Sequence, residues 1–464
     1  MSSEKDHHDR VELHRGLKNR HIQMIALGGA IGTGLFYGSA TTIQLVGPAI
    51  IVSYLMGGTA IFFIVRALGE MCVDQPVAGA FSYFAYKYLG DFPGFFSGWN
   101  YWFNYIAVSM AELTVVGVYI NFWYPNVPQW VTALAFLVII TLINLINVEA
   151  FGEFEFWFAL IKVVAILAMI AFGLVMIFFG IGTHGAVGFS NLWAHGGFLP
   201  NGIWGLLLSL VIVMFSFGGV ELIGITAAEA DDPKRSIPKA INQVVWRILI
   251  FYIGALTILM ILYPWNQIGT AGSPFVEIFS AIGIPAAAHI LNFVVLTAAL
   301  SVYNSGIYSN GRMLHGLALQ GNAPKFLTKV SRNGIPINGV FASSAVTLIA
   351  VILNFLVPGK VFLYLISIAT IAGIFNWAMI LVTQLKFRKV EAEKGREDEL
   401  HFKMPLFPIS NYIALAFLAM VVVLMAYIPD MVYSLYIGPI WIIILYIGYK
   451  FLRRNPETKS THRE

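Results

Sequence analysis

Cysteine is almost missing: Cys72 is the single one in 464 residues, so an internal disulfide is excluded and no cysteine cluster can hold a metal. Charge is scarce too, at 11% of the chain, against about a quarter in ordinary soluble domains. Apolar residues reach 58% and mean hydropathy is +0.77, which excludes a water-soluble globular protein. The net charge is +4, but the lysines and arginines are spread over many short segments instead of one basic face, so nucleic acid is not expected as a partner. The hydrophilic segment 1–20 lacks the short apolar stretch and small-residue site of a cleaved signal peptide.

Motifs of hydrolysis and phosphate chemistry are missing as well. HExxH, GxSxG, the P-loop and paired CxxC do not occur, and Gly32-Thr33-Gly34 fails GxGxxG because Tyr37 stands at the third glycine position. The chain is therefore not read as an enzyme or an ATP-driven pump, and no cofactor is expected. His7, His8, His14 and His21 lie in or beside the amino-terminal tail, and His184 and His195 in an outer loop, a distribution that gives no metal site.

Long apolar runs are what the chain has in abundance. They fall at about 22–46, 48–72, 92–122, 129–148, 157–181, 203–229, 241–263, 286–311, 338–357, 361–385, 408–428 and 434–451. Each suits the ~30 Å hydrocarbon layer, and each is far longer than the ten-residue segments of a β-barrel, so they are helices. The expected fold is an all-α polytopic membrane protein with twelve transmembrane helices. Its expected parts are a tail at 1–20, a ten-helix core at 21–386, a loop at 387–407, helices 11 and 12 at 408–451, and a tail at 452–464. Of the 28 basic residues, 25 fall on one side of these spans, Lys360 alone on the other, and Arg66 and Lys162 inside spans. The positive-inside rule makes both termini cytoplasmic; Glu149, Glu153 and Glu155, read as a loop between spans 4 and 5, weigh little in it.

Two spans carry glycine clusters in corresponding places: GGAIGTGLFYG in span 1 and MFSFGGVELIG in span 6. Glycine costs a helix interior ~1 kcal/mol against alanine. Spans 1 and 6 each open a block of five, giving repeats of about 21–181 and 203–386, so the pattern points to a five-plus-five inverted repeat with broken helices 1 and 6, two extra helices, and a midplane binding site. The glycines of span 1 fit close helix packing equally well.

Ionisable residues inside spans cost ~3 kcal/mol on insertion scales unless they pair or face a cavity, which makes Glu112, Lys162 and Glu221 candidates for moving a proton. Each also has a structural alternative: packing for Glu112, snorkelling for Lys162, capping of freed amides for Glu221. Arg66 and Glu70, four residues apart on span 2, are expected to form a structural ion pair. A broken helix presents free N–H groups, here near Thr33 and Gly34, and free carbonyls, here near Ala30, Phe215 and Gly218. Those two kinds of group suit a zwitterion such as an amino acid. Phe215, Phe217, Tyr101, Trp102 and Tyr105 are candidates to line or gate an apolar pocket.

The segments LHRGLKNRHIQMIALGGAIGTGLF (13–36), MAELTVVGVYINFWYP (110–125), FGEFEFWFALIKV (151–163), FSFGGVELIGITAAEADDPKRSIPKAINQV (215–244) and LTAALSVYNSGIYSNGRM (296–313) closely resemble bacterial amino acid permeases of the amino acid, polyamine and organocation superfamily. The resemblance covers nearly the whole chain. It implies the five-plus-five fold, uptake coupled to protons, and a place in the bacterial inner membrane. It also implies that Gly32, Thr33 and Gly34 hold the substrate carboxylate, that carbonyls of segment 215–219 hold the amino group with Phe215 as a gating aromatic, and that Lys162 takes the place of a sodium ion. MAELT, NFWYP and SVYNSGIYSNGRM look most like aromatic amino acid permeases, whereas FYGSA (36–40) and YPWNQIGTAGSPFV (263–276) look more like proline and histidine permeases. The reading is a proton symporter that imports an amino acid of the aromatic kind, with a proline or histidine permease as the alternative within the family. An amino acid-sensing receptor or a channel is the rival; a channel needs a pore selectivity element, commonly built from repeated subunits, and two related broken helices in one chain favour transport.

Overall fold

The computed structural model describes residue 24 and residues 31–77, 80–146, 148–180, 188–226, 233–357 and 359–454, and every regular element among them is a helix. Nine described helices are long and apolar enough to cross a membrane, and Gly202–Ser216 and Ile409–Met425 are shorter apolar helices. The stretch Gly38–Asp74, one of the nine, divides at the turn Gly47–Ala49 into helices Gly38–Val46 and Ile50–Asp74. It turns at Gly47, whose φ of +62° is left-handed and whose Cβ, if it had one, would sit 2.5 Å from Pro200. With that stretch counted as two and the shorter pair added, a helix stands at each of the twelve positions read from hydropathy. Helices Ala80–Leu89 and Pro274–Ala281, which follow spans 2 and 7, were not anticipated.

Burial sorts the helices into centre and rim. Span 3 (Asp91–Asn121) buries 83% of its most apolar window and spans 8 (Pro285–Leu319) and 10 (Val361–Glu393) bury 72%, whereas spans 4 (Gln129–Ile146) and 5 (Phe151–Phe179) bury 33% and span 12 (Ser434–Leu452) only 11%. Apolar side chains left outside are solvated by lipid tails, so exposure at the rim carries no penalty.

Several helices outrun their apolar segments on one side. The helix that contains span 5 begins at Val148 and not near 157, span 8 runs to Leu319, and span 10 runs to Glu393, into the stretch expected as a loop. Hydropathy marks where a helix meets lipid, while a helix held by its neighbours continues with polar residues beyond that boundary. One consequence corrects the sequence reading: Glu155 lies inside span 5, fully buried.

The expected Arg66–Glu70 pair gives way to longer-range partners. Glu70 faces Arg388 at 3.5 Å and accepts hydrogen bonds from Gln384 Nε2 and from Met404 N at 3.3 Å. Arg66 lies 3.4 Å over the Phe402 ring and donates to the Lys403 carbonyl at 3.0 Å. Spacing of four allows the pair, but the returning segment 402–404 offers Arg66 a cation–π face and a carbonyl together.

Candidate functional site

Both glycine clusters mark real interruptions. In span 1 helix Thr33–Phe36 starts after an extended Gly32 (φ −129°, ψ −157°) and is set off by Tyr37 from helix Gly38–Val46. In span 6 helix Gly202–Ser216 ends, the chain turns through 217–221 with Gly219 at φ +96°, and helix Leu222–Thr226 follows. The interruptions cross in contact: a Cβ on Gly34 would lie 2.5 Å from the Ser216 Cα. Ser216 is fixed from two further spans, its hydroxyl 3.0 Å from that of Tyr54 and its carbonyl accepting from the Tyr252 hydroxyl at 3.0 Å. Tyr252 belongs to a π-helical segment, Ile248–Gly254, whose wider turn offsets span 7 beside the break.

A cavity opens where the breaks cross. Gly32 and Gly34 of span 1, Tyr105, Val108 and Glu112 of span 3, Phe215, Ser216, Gly218, Gly219 and Leu222 of span 6, and Val302 and Ser305 of span 8 line it. The space open to water centres is about 20 Å³, little more than one water requires. An amino acid enters only if lining groups move. Further rings pack behind its two aromatic lining residues, Phe215 and Tyr105. Toward the turn between spans 1 and 2, Phe362 meets Tyr37 edge-on at 4.7 Å and Phe215 at 6.3 Å. Toward helix Ala80–Leu89, Tyr101 lies 4.6 Å from Tyr105 and 5.0 Å from Phe81.

Four buried ionisable side chains surround the breaks. Glu112 accepts from the Thr33 hydroxyl at 2.9 Å and the Thr33 N–H at 3.4 Å, so a carboxylate already sits at the N-terminus of the second half-helix. Lys162 donates to the Ile31 carbonyl, just before the extended Gly32, at 3.2 Å and to Ser301 Oγ at 2.9 Å. The Ser301 hydroxyl in turn donates to Glu155 Oε1 at 2.5 Å. Glu221, in the turn of span 6, accepts from Trp377 Nε1 at 3.3 Å and also faces the Gly219 N–H and Tyr105. Each has at least one donor or partner, as burial of an ion demands, while Glu112 Oε2 and Glu155 Oε2 are buried without one.

Of the residues singled out from sequence, Gly32, Gly34, Phe215, Gly218, Glu112 and Tyr105 line the cavity, Thr33 binds Glu112 beside it, and Tyr101 lies one layer away. Lys162 and Glu221 sit behind the two breaks. Phe217 is separated from the cavity: its ring is fully buried 5.8 Å from Tyr54 and 5.1 Å from Tyr252. The turn after Ser216 sends consecutive phenylalanines to opposite sides, which sequence order did not reveal. Trp102 likewise faces span 9, donating to Ser343 Oγ at 3.1 Å. Ala30 lies outside the described residues. Sequence reasoning missed Tyr37, Phe362, Trp377, Val302, Ser305, Ser301 and Glu155; only Glu155 carried a signal, a carboxylate at i−7 from Lys162 and so on the same helix face.

Crossed, interrupted helices around a small cavity are the arrangement of secondary transporters. The chain matches the amino acid permease family over residues 21–461. It is 54% identical over 451 residues to the aromatic amino acid transport protein AroP of Escherichia coli (strain K12), covering 97% of this chain and 98% of that protein. Identity to the uncharacterized amino acid permease YtnA of Bacillus subtilis (strain 168) is also 54%, over 453 residues and the same shares of the two chains. AroP of Salmonella typhimurium (strain LT2) is 53% identical over 452 residues, again 97% of this chain and 98% of that one. With its polytopic helical fold and its paired helix breaks, the chain belongs to the amino acid permease family.

Proposed function

We propose that this permease imports an aromatic amino acid with a proton by alternating access, across the inner membrane of a bacterium and with both termini in the cytoplasm. The observation that carries the reading is the crossing of the two breaks at Gly34 and Ser216 around a cavity that Tyr105 and Phe215 line among small, aliphatic and polar groups. The aromatic transport proteins to which the chain is similar support the choice of substrate. The repeats at about 21–181 and 203–386 belong to the same reading, each led by one of the crossing helices.

The roles follow from charge. The substrate carboxylate takes the N–H groups at Thr33 and Gly34, and its ammonium group takes a second lone pair of the Phe215 carbonyl, whose first accepts from the Gly218 N–H at 3.0 Å. Glu112 occupies the Thr33 donors beforehand, so the arriving carboxylate meets a like charge until Glu112 swings away or takes up a proton. Lys162, when charged, braces the Ile31 carbonyl as a bound cation would; when neutral it lets the half-helices part. Proton and substrate are coupled if these two states of Lys162 favour different conformations.

Two experiments test the reading. All twenty amino acids compete against radiolabelled phenylalanine in right-side-out and inverted vesicles; phenylalanine, tyrosine and tryptophan should displace one another. Displacement by proline or histidine alone would sink the aromatic assignment and leave the transporter. Lys162→Met should keep substrate exchange and lose accumulation driven by a proton gradient, with no rescue by sodium. Accumulation equal to wild type would show that Lys162 is structural.

A further inference from the structure

The face of span 5 that carries Lys162 also carries Phe151, Glu155 and Ala159, and all four side chains are buried. Span 8 runs against it with Ser301, Ser305, Tyr308 and Arg312 on one stripe. The Ser301 hydroxyl joins the two charged groups, accepting from Lys162 at 2.9 Å and donating to Glu155 Oε1 at 2.5 Å. Glu155 Oε2 is buried without a hydrogen-bond partner, as are Ser305 Oγ and Asn304 Nδ2, and both of those side chains face Glu155. Ser305 also lines the substrate cavity. At the far end of the stripe the Phe151 ring stacks 3.7 Å from that of Tyr308, which the Arg312 guanidinium covers at 3.3 Å. Among charged groups, Lys162 faces Glu155 from its own helix, Glu112 of span 3 acts on Lys162 from the other side, and Arg312 of span 8 lies beyond Tyr308.

We propose that Glu155 is the acceptor through which the coupling proton leaves Lys162, passing by Ser301 toward the Tyr308 end of the stripe. The inference rests on the reading of Lys162 as the coupling residue. In the step an N–H bond of Lys162 breaks as its proton joins Ser301 Oγ, and the Ser301 O–H bond breaks as that proton joins Glu155 Oε1. Ammonium and carboxylate become amine and carboxylic acid, Ser301 ends as it began, and no outside reagent is consumed. The exchange removes two opposite charges from a dry environment together, which lowers the desolvation cost that either charge alone would carry. A serine suits the middle position because its hydroxyl accepts and donates at once.

The test uses the full chain in proteoliposomes with a pH-sensitive dye inside. Glu155→Gln keeps the size of the side chain and its hydrogen bond with Ser301 but cannot take the proton. It should retain exchange of external for internal phenylalanine and lose both gradient-driven accumulation and substrate-induced acidification; Glu155→Asp should recover part of each. If Glu155→Gln accumulates as wild type while Lys162→Met does not, the relay is wrong and the coupling reading stands. Full accumulation with a displaced pH profile would reduce Glu155 to a counter-ion of Lys162, and loss of exchange in a normally inserted protein would make it structural; either overturns the proposal. Full accumulation by Lys162→Met removes the coupling reading itself.

Discussion

Gly34→Ala adds one methyl group where the two broken helices touch. The new Cβ would stand 2.5 Å from the Ser216 Cα, 2.8 Å from its Oγ and 3.0 Å from its Cβ, against ordinary contacts of 3.4–4 Å. The nearest atom is backbone and cannot rotate away, so spans 1 and 6 must separate by about an ångström, a misfit of the kind that costs ~1–3 kcal/mol. Alanine returns at most ~1 kcal/mol of helix propensity, and less here, because Gly34 lies in the first turn. A net ~1–2 kcal/mol falls on the conformations in which the breaks cross, lowering their population about 5- to 30-fold. Initial uptake of radiolabelled phenylalanine below saturation should fall by the same factor, at unchanged membrane levels of a fluorescent fusion. Gly38→Ala is the control. Its Cβ would meet only the Ile212 Cγ2 at 3.4 Å and the Thr33 carbonyl at 3.8 Å, so uptake should stay near wild type. Wild-type uptake by Gly34→Ala, or an equal loss in both variants, would refute the crossing as the seat of the site.

Three further outcomes are expected. Phenylalaninamide should compete at least tenfold more weakly than phenylalanine, since a buried N–H without its anionic partner costs ~1–3 kcal/mol; equal competition would take the carboxylate away from Thr33 and Gly34. Phe217→Ala should destabilise the protein by ~3–5 kcal/mol in thermal unfolding without changing the rank of competing amino acids, whereas Phe215→Ala should change that rank. The reverse pattern would place the cavity on the wrong side of the turn. Glu277, on helix Pro274–Ala281 outside the spans, accepts the Gly269 N–H at 3.1 Å, and burial nevertheless pushes its carboxyl above the ordinary 4.5. The folded segment thus holds this proton more tightly than the unfolded one, so its stabilising contribution is full below 4.5 and fades as pH rises through the raised value. Protease protection of segment 264–284 should weaken over that interval and Glu277→Gln should flatten the change; an unaltered profile in the variant would dismiss Glu277 as the cause.

The positions of the helices and the two interruptions were legible in the sequence, because lipid imposes a length of apolar chain on each span and glycine clusters weaken a helix locally. Gly32, Gly34, Phe215, Gly218 and Glu112 could be placed near the site on that basis alone. Phe217 could not be separated from Phe215, since the direction of a side chain in a turn depends on backbone dihedrals that no periodicity encodes. Tyr37 and Phe362, which meet behind Phe215, stand more than three hundred residues apart, and hydropathy treats both as ordinary span residues. Glu155 looked like a loop residue because hydropathy falls at the end of a span. What the sequence determined by itself was the solvent, the number of crossings and where two of them yield. Only the tertiary structure decided which polar groups share a dry environment: Lys162 gains Ser301 and Glu155, Thr33 gains Glu112, and Glu70 turns from Arg66 to Arg388. Those pairings follow from distance between helices, and a buried charge takes whichever partner the packing of other spans brings within reach.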